Sequence, residues 1–250
     1  MLRRCIQRLI PPVTAIPILM YHNIGTPPAG ARLRGLYVRS KSFARQMRLL
    51  RLLGYQGLSM SAAMPYLRGE KQGKVAVITL DDGYLDTYDN ALPALHANGF
   101  SATCYFVSDR LGRSNDWDGA ALKVDKPLMS AAQMREWHAA GMEVGAHSRT
   151  HPRLTQCTDK QLQQELAGSK AELEALIGAP VTQFCYPYGD YDVRVAEATH
   201  AAGYAAATTT ARGRAKPGDD LMQLRRVLIT GSNMLHLVAL KLLTGYEDGR

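Results

Sequence analysis

The chain has 250 residues, 46% of them hydrophobic, and this length and composition suit one domain with a sizeable core. It contains no uninterrupted apolar run of about 18 residues, which argues against a transmembrane helix. The formal net charge is +8, but no basic stripe interleaved with aromatic residues accompanies it, which argues against a nucleic-acid partner.

The positive charge is concentrated at the beginning of the chain. Residues 1–69 contain 11 lysines and arginines and no acid, whereas acids outnumber bases in the rest of the chain. Such a segment is commonly a solvated face. The alternative is a surface that faces a phosphate-bearing glycan or anionic lipid, which would give a peripheral contact with an anionic membrane.

The N-terminus and the cysteines indicate the compartment. Residues 1–8 have the charge of a signal peptide but not its apolar region. The four cysteines show neither a disulfide-like spacing nor a CxxC motif. Cys104 and Cys185 lie in apolar segments and are predicted to be small core residues. We therefore expect a reduced, cytoplasmic protein; the sequence indicates no oligomeric state.

The hydrophobic pattern predicts strands and helices that alternate along the chain. The predicted strands lie at 16–22, 75–80, 101–107, 142–146, 181–186, 204–208 and 225–230. The predicted helices lie at 42–53, 85–98, 130–140, 158–177, 191–202 and 233–244. We take Ser42 and Ser130 as helix caps and expect Pro93 to kink or break its helix. The alternation predicts an α/β fold with a parallel sheet.

Two adjacent carboxylates follow the predicted strand at 75–80. Asp81 and Asp82 stand before Gly83, where the strand should end, and loops at the carboxyl ends of parallel strands collect catalytic groups. Neighbouring like charges are unfavourable unless a cation or a proton separates their roles. The pair therefore indicates a metal site, a proton shuttle or both, and the alternative is a solvated turn.

Two histidines follow the predicted strand at 142–146. His147 and His151 are four residues apart and can converge on one cation if the segment between them makes a single turn. With an aspartate they form a ligand set that suits Zn²⁺ or a similar divalent ion in a hydrolase. This spacing after a strand favours a site over two structural histidines.

A third strand end, Phe184-Cys185-Tyr186-Pro187-Tyr188-Gly189, completes a series. Strand-DDG, strand-HSxxHP and strand-xPYG occur in this order, which resembles the first three motifs of the polysaccharide deacetylase (NodB-homology, carbohydrate esterase 4) family. The resemblance covers about residues 15–232, and three ordered motifs are far more specific than one. It implies a distorted (β/α)7 barrel and a single catalytic domain over residues 1–250.

The resemblance also implies a role for each residue in the motifs. Asp82, His147 and His151 would bind a divalent metal ion, with Zn²⁺ expected, and Asp81 would be the general base that deprotonates metal-bound water. The backbone N–H of Tyr188 would stabilise the developing oxyanion.

The chain departs from the family pattern in ways that affect the base and the acid. The family often has an arginine at the position of Cys185, where it pairs with the base, so another group must orient Asp81 here. The Asp-rich fourth motif is missing after residue 189, and residues 208–213 stand in its place. The usual Leu-x-His that supplies the acid near the C-terminus is not evident.

Two histidines are candidates for that acid. His22 ends the strand Leu19-Met20-Tyr21-His22, which resembles the circularly permuted branch containing poly-β-1,6-N-acetylglucosamine deacetylases, where the leading strand carries the acid histidine. His236 lies in a helix-like pattern, which favours a structural role. We predict His22 as the acid and keep His236 as the alternative.

Together with these residues, the resemblance implies a metal-dependent hydrolase that removes N-acetyl groups from sugar units of a polysaccharide or glycolipid. One alternative is a C–N hydrolase for a small cyclic amide or ureide, although that branch often lacks the metal set. The other is a non-catalytic glycan-binding module, against which the intact carboxylates and histidines argue. Four aromatic residues could stack on sugar rings, namely Trp117, Trp137, Tyr186 and Tyr191.

Overall fold

The structure of the chain is a computed structural model that describes residues 15–118 and 124–248. The segment considered as a signal peptide, residues 1–8, lies outside the described residues. This segment includes Cys5 and the first three arginines of the basic region. Within the described ranges, no helix is long and apolar enough to cross a membrane.

Parallel strands form the centre of the molecule. Those in the described ranges are β1 (Ile18–Tyr21), β2 (Gln56–Leu58), β3 (Val75–Leu80), β4 (Thr103–Phe106), β5 (Glu143–Ala146), β6 (Gln183–Cys185), β7 (Ala206–Arg212) and β8 (Leu224–Leu228). Seven of these strands close into a barrel because β1 pairs with both β3 and β8. The eighth, β2, pairs only with the beginning of β3. The expected (β/α)7 barrel is confirmed.

Helices cover the outside of the barrel. In the described ranges the α-helices are α1 (Ser40–Leu52), α2 (Met60–Leu67), α3 (Leu85–His96), α4 (Ala131–Ala139), α5 (Asp159–Gln163), α6 (Ser169–Ile177), α7 (Val193–Ala201) and α8 (Leu235–Leu243). A π-helical turn, Gln164–Gly168, joins α5 to α6 and divides the helix predicted at 158–177.

Of the two predicted helix caps, the structure confirms one and contradicts the other. Ser130 caps α4 through a capping box with Gln133, as predicted. Ser42 does not cap α1, because the helix begins two residues earlier and the Ser42 N–H already bonds to the Arg39 carbonyl. Pro93 does not break α3, which continues to His96; Pro93 is exposed, so water can satisfy the carbonyl that its missing N–H leaves.

One strand and one helix were not predicted. β2 has only three residues and contains a glycine, and α2 contains Pro65, so both carry weak sequence signals. The helix forms nevertheless because Ser59 caps it and its apolar face packs on the inner cluster of the barrel. Its first turn bonds to Thr103 and Glu143 at the starts of β4 and β5. α2 therefore closes the amino-terminal end of the barrel.

Alternate residues of each strand face the inside of the barrel. On β3, Val75 and Val77 belong to the inner hydrophobic cluster and Ala76 and Ile78 to the outer one. The same alternation directs Asp81 inwards.

The strands β6 and β8 direct two further residues to the same interior. Cys185 and Leu224 belong to the inner cluster, whereas Phe184 and Val227 belong to the outer one. Arg226, two residues after Leu224, is fully buried on the inward side of β8. Cys185 is buried as predicted, but it lies inside the barrel, next to the residues described below.

Candidate active site

The predicted site residues come together at the carboxyl end of the barrel. Parallel strands bring their carboxyl ends to one face, and the loops that follow them carry the polar motifs. The six predicted residues follow four strands: His22 follows β1, Asp81 and Asp82 follow β3, His147 and His151 follow β5, and Tyr188 follows β6.

Asp82, His147 and His151 form a buried group of three potential metal ligands. The Oδ1 atom of Asp82 lies 3.4 Å from Nε2 of His147 and 3.5 Å from Nε2 of His151. A tetrahedral ion with bonds of about 2.1 Å holds its ligand atoms about 3.4 Å apart. The donor types and the separations therefore fit a divalent ion such as Zn²⁺, and three protein ligands leave one position for water or substrate.

Hydrogen bonding fixes the form of His147 that could bind a metal. Its Nδ1 lies 2.7 Å from the carbonyl oxygen of Cys185. Because a carbonyl only accepts, Nδ1 carries the proton and the neutral ring presents its lone pair at Nε2. Burial lowers the pKa of His147, but Cys185 and Asp82 raise it by more, so it lies well above its ordinary value. A proton therefore competes with a metal ion at Nε2.

Asp82 is held ionised, as a ligand must be. Burial raises its pKa, but hydrogen bonds from His147 and His151 lower it by more, so the pKa lies well below its ordinary value. Tyr84 also bonds to Asp82, and burial together with that carboxylate raises the pKa of Tyr84 well above its usual value. Asn115 in turn donates to the Tyr84 hydroxyl at 3.2 Å, which connects the loop after β4 to the ligand group.

The backbone around the site is strained. Five non-glycine residues in the described ranges have a positive φ, and four of them are Asp82, Ser148, His151 and Tyr188. Such conformations cost about 1–3 kcal/mol each and cluster at active sites. Gly83 also has a positive φ, and a Cβ there would lie 2.8 Å from the Phe106 ring, which explains the glycine of the DDG motif.

Asp81 is paired with an arginine from β8, which is separated from β3 by β1 alone. Nη1 and Nη2 of Arg226 lie 2.7 Å from the two carboxylate oxygens of Asp81. Arg226 is itself held by the Thr209 carbonyl, at 2.8 Å from Nε, and its Nη2 lies 3.2 Å from Sγ of Cys185. The group that orients Asp81 is thus a guanidinium from β8, beside the cysteine at the position where the family often has its arginine.

The pairing also keeps Asp81 ionised. Burial raises the pKa of Asp81, but the charge and hydrogen bonds of Arg226, with smaller contributions from His22 and His147, lower it below its ordinary value. The carboxylate is therefore able to accept a proton at neutral pH.

The two candidate acids lie in different places. Nε2 of His22 is 3.8 Å from Oδ2 of Asp81, and its side chain is 18% exposed. His236 lies on α8, outside the barrel, and is exposed. Of the two, His22 is the one in contact with the proposed base.

Aromatic rings surround His151. The indole of Trp117 stacks on it with ring centroids 4.6 Å apart, and the Tyr188 ring meets it edge-on at 4.6 Å. The guanidinium carbon of Arg153 lies 4.7 Å from the Tyr188 ring centre. Trp137 is fully buried in the outer core, so it does not face a ligand.

Three residues of the site were not predicted from the sequence. Arg226, Tyr84 and Asn115 contact the predicted carboxylates directly or through one hydroxyl. Tyr84 follows the DDG motif, and Arg226 lies beside Arg225 at the start of the strand predicted at 225–230. No signal in the sequence separates Arg226 from its neighbour Arg225, because the inward position is known only from the barrel register.

The comparisons with known proteins agree with this geometry. A family model described as polysaccharide deacetylase matches residues 68–207. YxkH of Bacillus subtilis (strain 168), a protein named for the same family, is 31% identical over 217 residues, covering 86% of this chain and 71% of YxkH.

Two solved structures share the fold. The Streptococcus pyogenes deacetylase PplD, solved in complex with acetate, is 26% identical with a TM-score of 0.81, over 94% of this chain and 100% of PplD. IcaB from Ammonifex degensii is 24% identical with a TM-score of 0.78, over 92% of this chain and 98% of IcaB, and this likeness shows the fold alone. Since the family model spans more than half of the residues, the chain belongs to the polysaccharide deacetylase family, hydrolases that act on carbon–nitrogen bonds as de-N-acetylases.

Proposed function

We propose that this chain is a metal-dependent deacetylase that removes N-acetyl groups from sugar units of a polysaccharide or glycolipid. The observation that carries the proposal is the ligand group Asp82, His147 and His151, with separations of 3.4 and 3.5 Å that fit a tetrahedral divalent ion. The Asp81 carboxylate lies next to this group. When bound, the ion would supply Lewis-acid activation of water and of the acyl carbonyl.

Asp81 is the general base of this proposal. Its Oδ2 atom accepts a proton from the attacking water, while both hydrogen bonds from Arg226 keep the carboxylate in one orientation. Each carboxylate oxygen has more than one acceptor site, so the pairing leaves room for the proton.

His22 and Tyr188 complete the proposed chemistry. The departing amine is a poor leaving group. The His22 side chain, 3.8 Å from Asp81, would enter this step as an imidazolium, donate the proton that the amine needs and leave as the neutral ring. The backbone N–H of Tyr188 would stabilise the oxyanion, and the positive φ of Tyr188 places its turn against His151.

A peripheral contact with an anionic membrane belongs to the same proposal, together with a cytoplasmic location. The exposed face of α1 carries Lys41, Arg45, Arg48 and Arg51, which line a groove of about 690 Å³ against the end of α3. Leu52, at the end of this stripe, is 77% exposed. Cations beside an exposed leucine are suited to anionic headgroups at an interface.

Metal analysis and an acetate-release assay test the catalytic proposal. The wild type, loaded with Zn²⁺, should release acetate from N-acetylated glucosamine oligomers, and Asp82→Ala, His147→Ala and His151→Ala should each lose stoichiometric metal while remaining folded. His200→Ala, on the exposed face of α7, is the matched control and should keep its metal. Full metal content in His147→Ala would overturn the ligand assignment.

The role of Asp81 has a separate test. Asp81→Asn should retain the metal but lower turnover by about 10²–10⁴-fold, the usual contribution of a positioned proton acceptor. Unchanged turnover would make Asp81 a residue of the turn only. Small cyclic amides are assayed in parallel. If the protein hydrolyses these amides and releases no acetate from the sugar oligomers, the proposed sugar substrate is wrong.

A further inference from the structure

One carboxylate outside the loop that carries both histidines binds two of the loop's backbone N–H groups. Oε2 of Glu165 accepts hydrogen bonds from the backbone N–H groups of Arg149 and Thr150, both at 2.8 Å. Its Oε1 accepts the Thr150 hydroxyl at 2.6 Å. Glu165 thus binds two of the three residues between His147 and His151, without belonging to the ligand group itself.

This segment is one that needs an external support. Ser148 and His151 have φ values of 62° and 63°, in the left-handed region that non-glycine residues avoid. Within the segment, the His151 N–H bonds to the Ser148 hydroxyl at 2.9 Å. Hydrogen bonds from backbone N–H groups to an ionised carboxylate are about twice as strong as neutral ones, so the Glu165 contacts can offset part of this strain.

The π-helical turn determines where Glu165 lies. Glu165 is in the turn Gln164–Gly168, and Glu172 follows in α6. Glu172 accepts Nε of Arg149 at 2.6 Å and the Ser108 hydroxyl at 2.5 Å. One extra residue in a helix changes the direction of a side chain by about 100°. The contact of Glu165 with the histidine loop therefore depends on this turn, and single π turns are frequent at functional sites.

We propose that Glu165 is a positioning residue of the metal centre, which fixes the conformation in which His147 and His151 both face Asp82. The inference rests on the proposed function, because it requires that these three residues bind a divalent ion. Residues that orient metal ligands typically contribute about 10–100-fold to metal affinity. Glu165 should therefore raise the affinity for the metal ion by holding the loop in place, without coordinating the ion itself.

The test is a competition titration of Zn²⁺ with a chromophoric chelator on the full chain. Glu165→Ala should weaken Zn²⁺ binding by about 10–100-fold, and Glu165→Gln, which keeps one acceptor oxygen, should weaken it less. The matched control is Glu174→Ala on α6. Glu174 also accepts a backbone N–H, that of Val181 at 2.9 Å, and an amine, Lys170 Nζ at 2.7 Å, but it does not hold the histidine loop.

A second measurement separates positioning from stability. The melting temperature of each protein, with and without Zn²⁺, should show a smaller Zn²⁺-induced rise in Glu165→Ala than in Glu174→Ala or the wild type. Zn²⁺ affinity of both Glu165 variants within twofold of the wild type would overturn the inference. If Glu165→Ala fails to fold, the Gln variant decides.

The outcomes also distinguish this inference from the function on which it rests. A wild type that binds no divalent ion would overturn both. A wild type that binds Zn²⁺, a His147→Ala variant that does not, and a Glu165→Ala variant that still binds normally would overturn the role of Glu165 alone.

Discussion

Arg226 and Asp81 are 145 residues apart in the chain, and they form a bidentate ion pair inside the barrel. Nη1 of Arg226 lies 2.7 Å from Oδ1 of Asp81, and Nη2 lies 2.7 Å from Oδ2. The guanidinium comes from β8. It does not come from position 185 at the end of β6, which a cysteine occupies here. The chain therefore pairs the proposed base, Asp81, with an arginine that lies on another strand.

The pairing predicts the pH dependence of turnover. In the wild type, burial raises the pKa of Asp81 but Arg226 lowers it by more, so Asp81 stays ionised as the pH falls. In Arg226→Met only the effect of burial and the weaker contributions remain, and the pKa should rise. The base is then protonated at pH values where the wild type is active, so the acid limb of the profile of kcat against pH should move to higher pH.

Arg225→Met is the control for this profile. Arg225 is the exposed neighbour on the same strand, and its removal should leave the acid limb in place. An acid limb at the same pH in Arg226→Met and the wild type would show that Arg226 does not set the protonation of the base.

A reciprocal exchange tests whether the two strand positions are equivalent. Cys185→Arg alone adds a second buried cation next to Arg226, 3.2 Å from the present Sγ, and should lower the free energy of unfolding by about 3–5 kcal/mol. Combining Cys185→Arg with Arg226→Ser removes this repulsion and offers Asp81 a new partner. Urea unfolding of the four proteins should give a coupling energy of about 1–3 kcal/mol in favour of the double variant. Additive effects would mean that position 185 cannot supply the guanidinium in this barrel.

The proposed acid predicts a dependence on the leaving group. His22→Ala should slow release of acetate from an amide by about 10²–10⁴-fold, whereas an aryl acetate, whose leaving group needs no proton, should react at nearly the wild-type rate. His236→Ala, on the exposed helix α8, should leave both rates unchanged. Equal losses on both substrates in His22→Ala would indicate that His22 only positions Asp81.

The cationic stripe on α1 predicts binding to anionic vesicles. Co-sedimentation with phosphatidylglycerol vesicles should exceed that with phosphatidylcholine vesicles and should weaken with salt, since screening at physiological ionic strength acts over about 8 Å. Arg45→Glu/Arg48→Glu should abolish the difference. Arg135→Glu/Arg225→Glu changes the net charge equally at exposed positions elsewhere and should retain it. Equal sedimentation with both lipids would leave the stripe as a solvated face.

The strand ends could be predicted because each motif is local. Asp81 and Asp82, for example, follow an apolar run of β-branched residues at 75–80, and this pattern alone places them where a strand ends. The histidines and the PYG turn are local in the same sense. The barrel then brings these ends together because its strands are parallel.

The partners of these residues could not be predicted in the same way. Arg225 and Arg226 are adjacent in β8, and only the register of the closed barrel decides that the second faces inwards. Glu165 depends on a π turn inside what the hydrophobic pattern predicts as one continuous helix. Both contacts are made across long sequence separations, where a single sequence carries no pairing information.

Because β8 closes the barrel against β1, the interior of the site can be completed only late in synthesis of the chain. During synthesis Asp81 leaves the ribosome 145 residues before Arg226. A growing chain can therefore already contain all three sequence motifs without the cation that pairs with the buried Asp81 carboxylate. The ion pair can form only once the final strand has been added. A ribosome-bound intermediate that ends before β8 therefore contains the motifs but leaves the Asp81 carboxylate without its arginine partner.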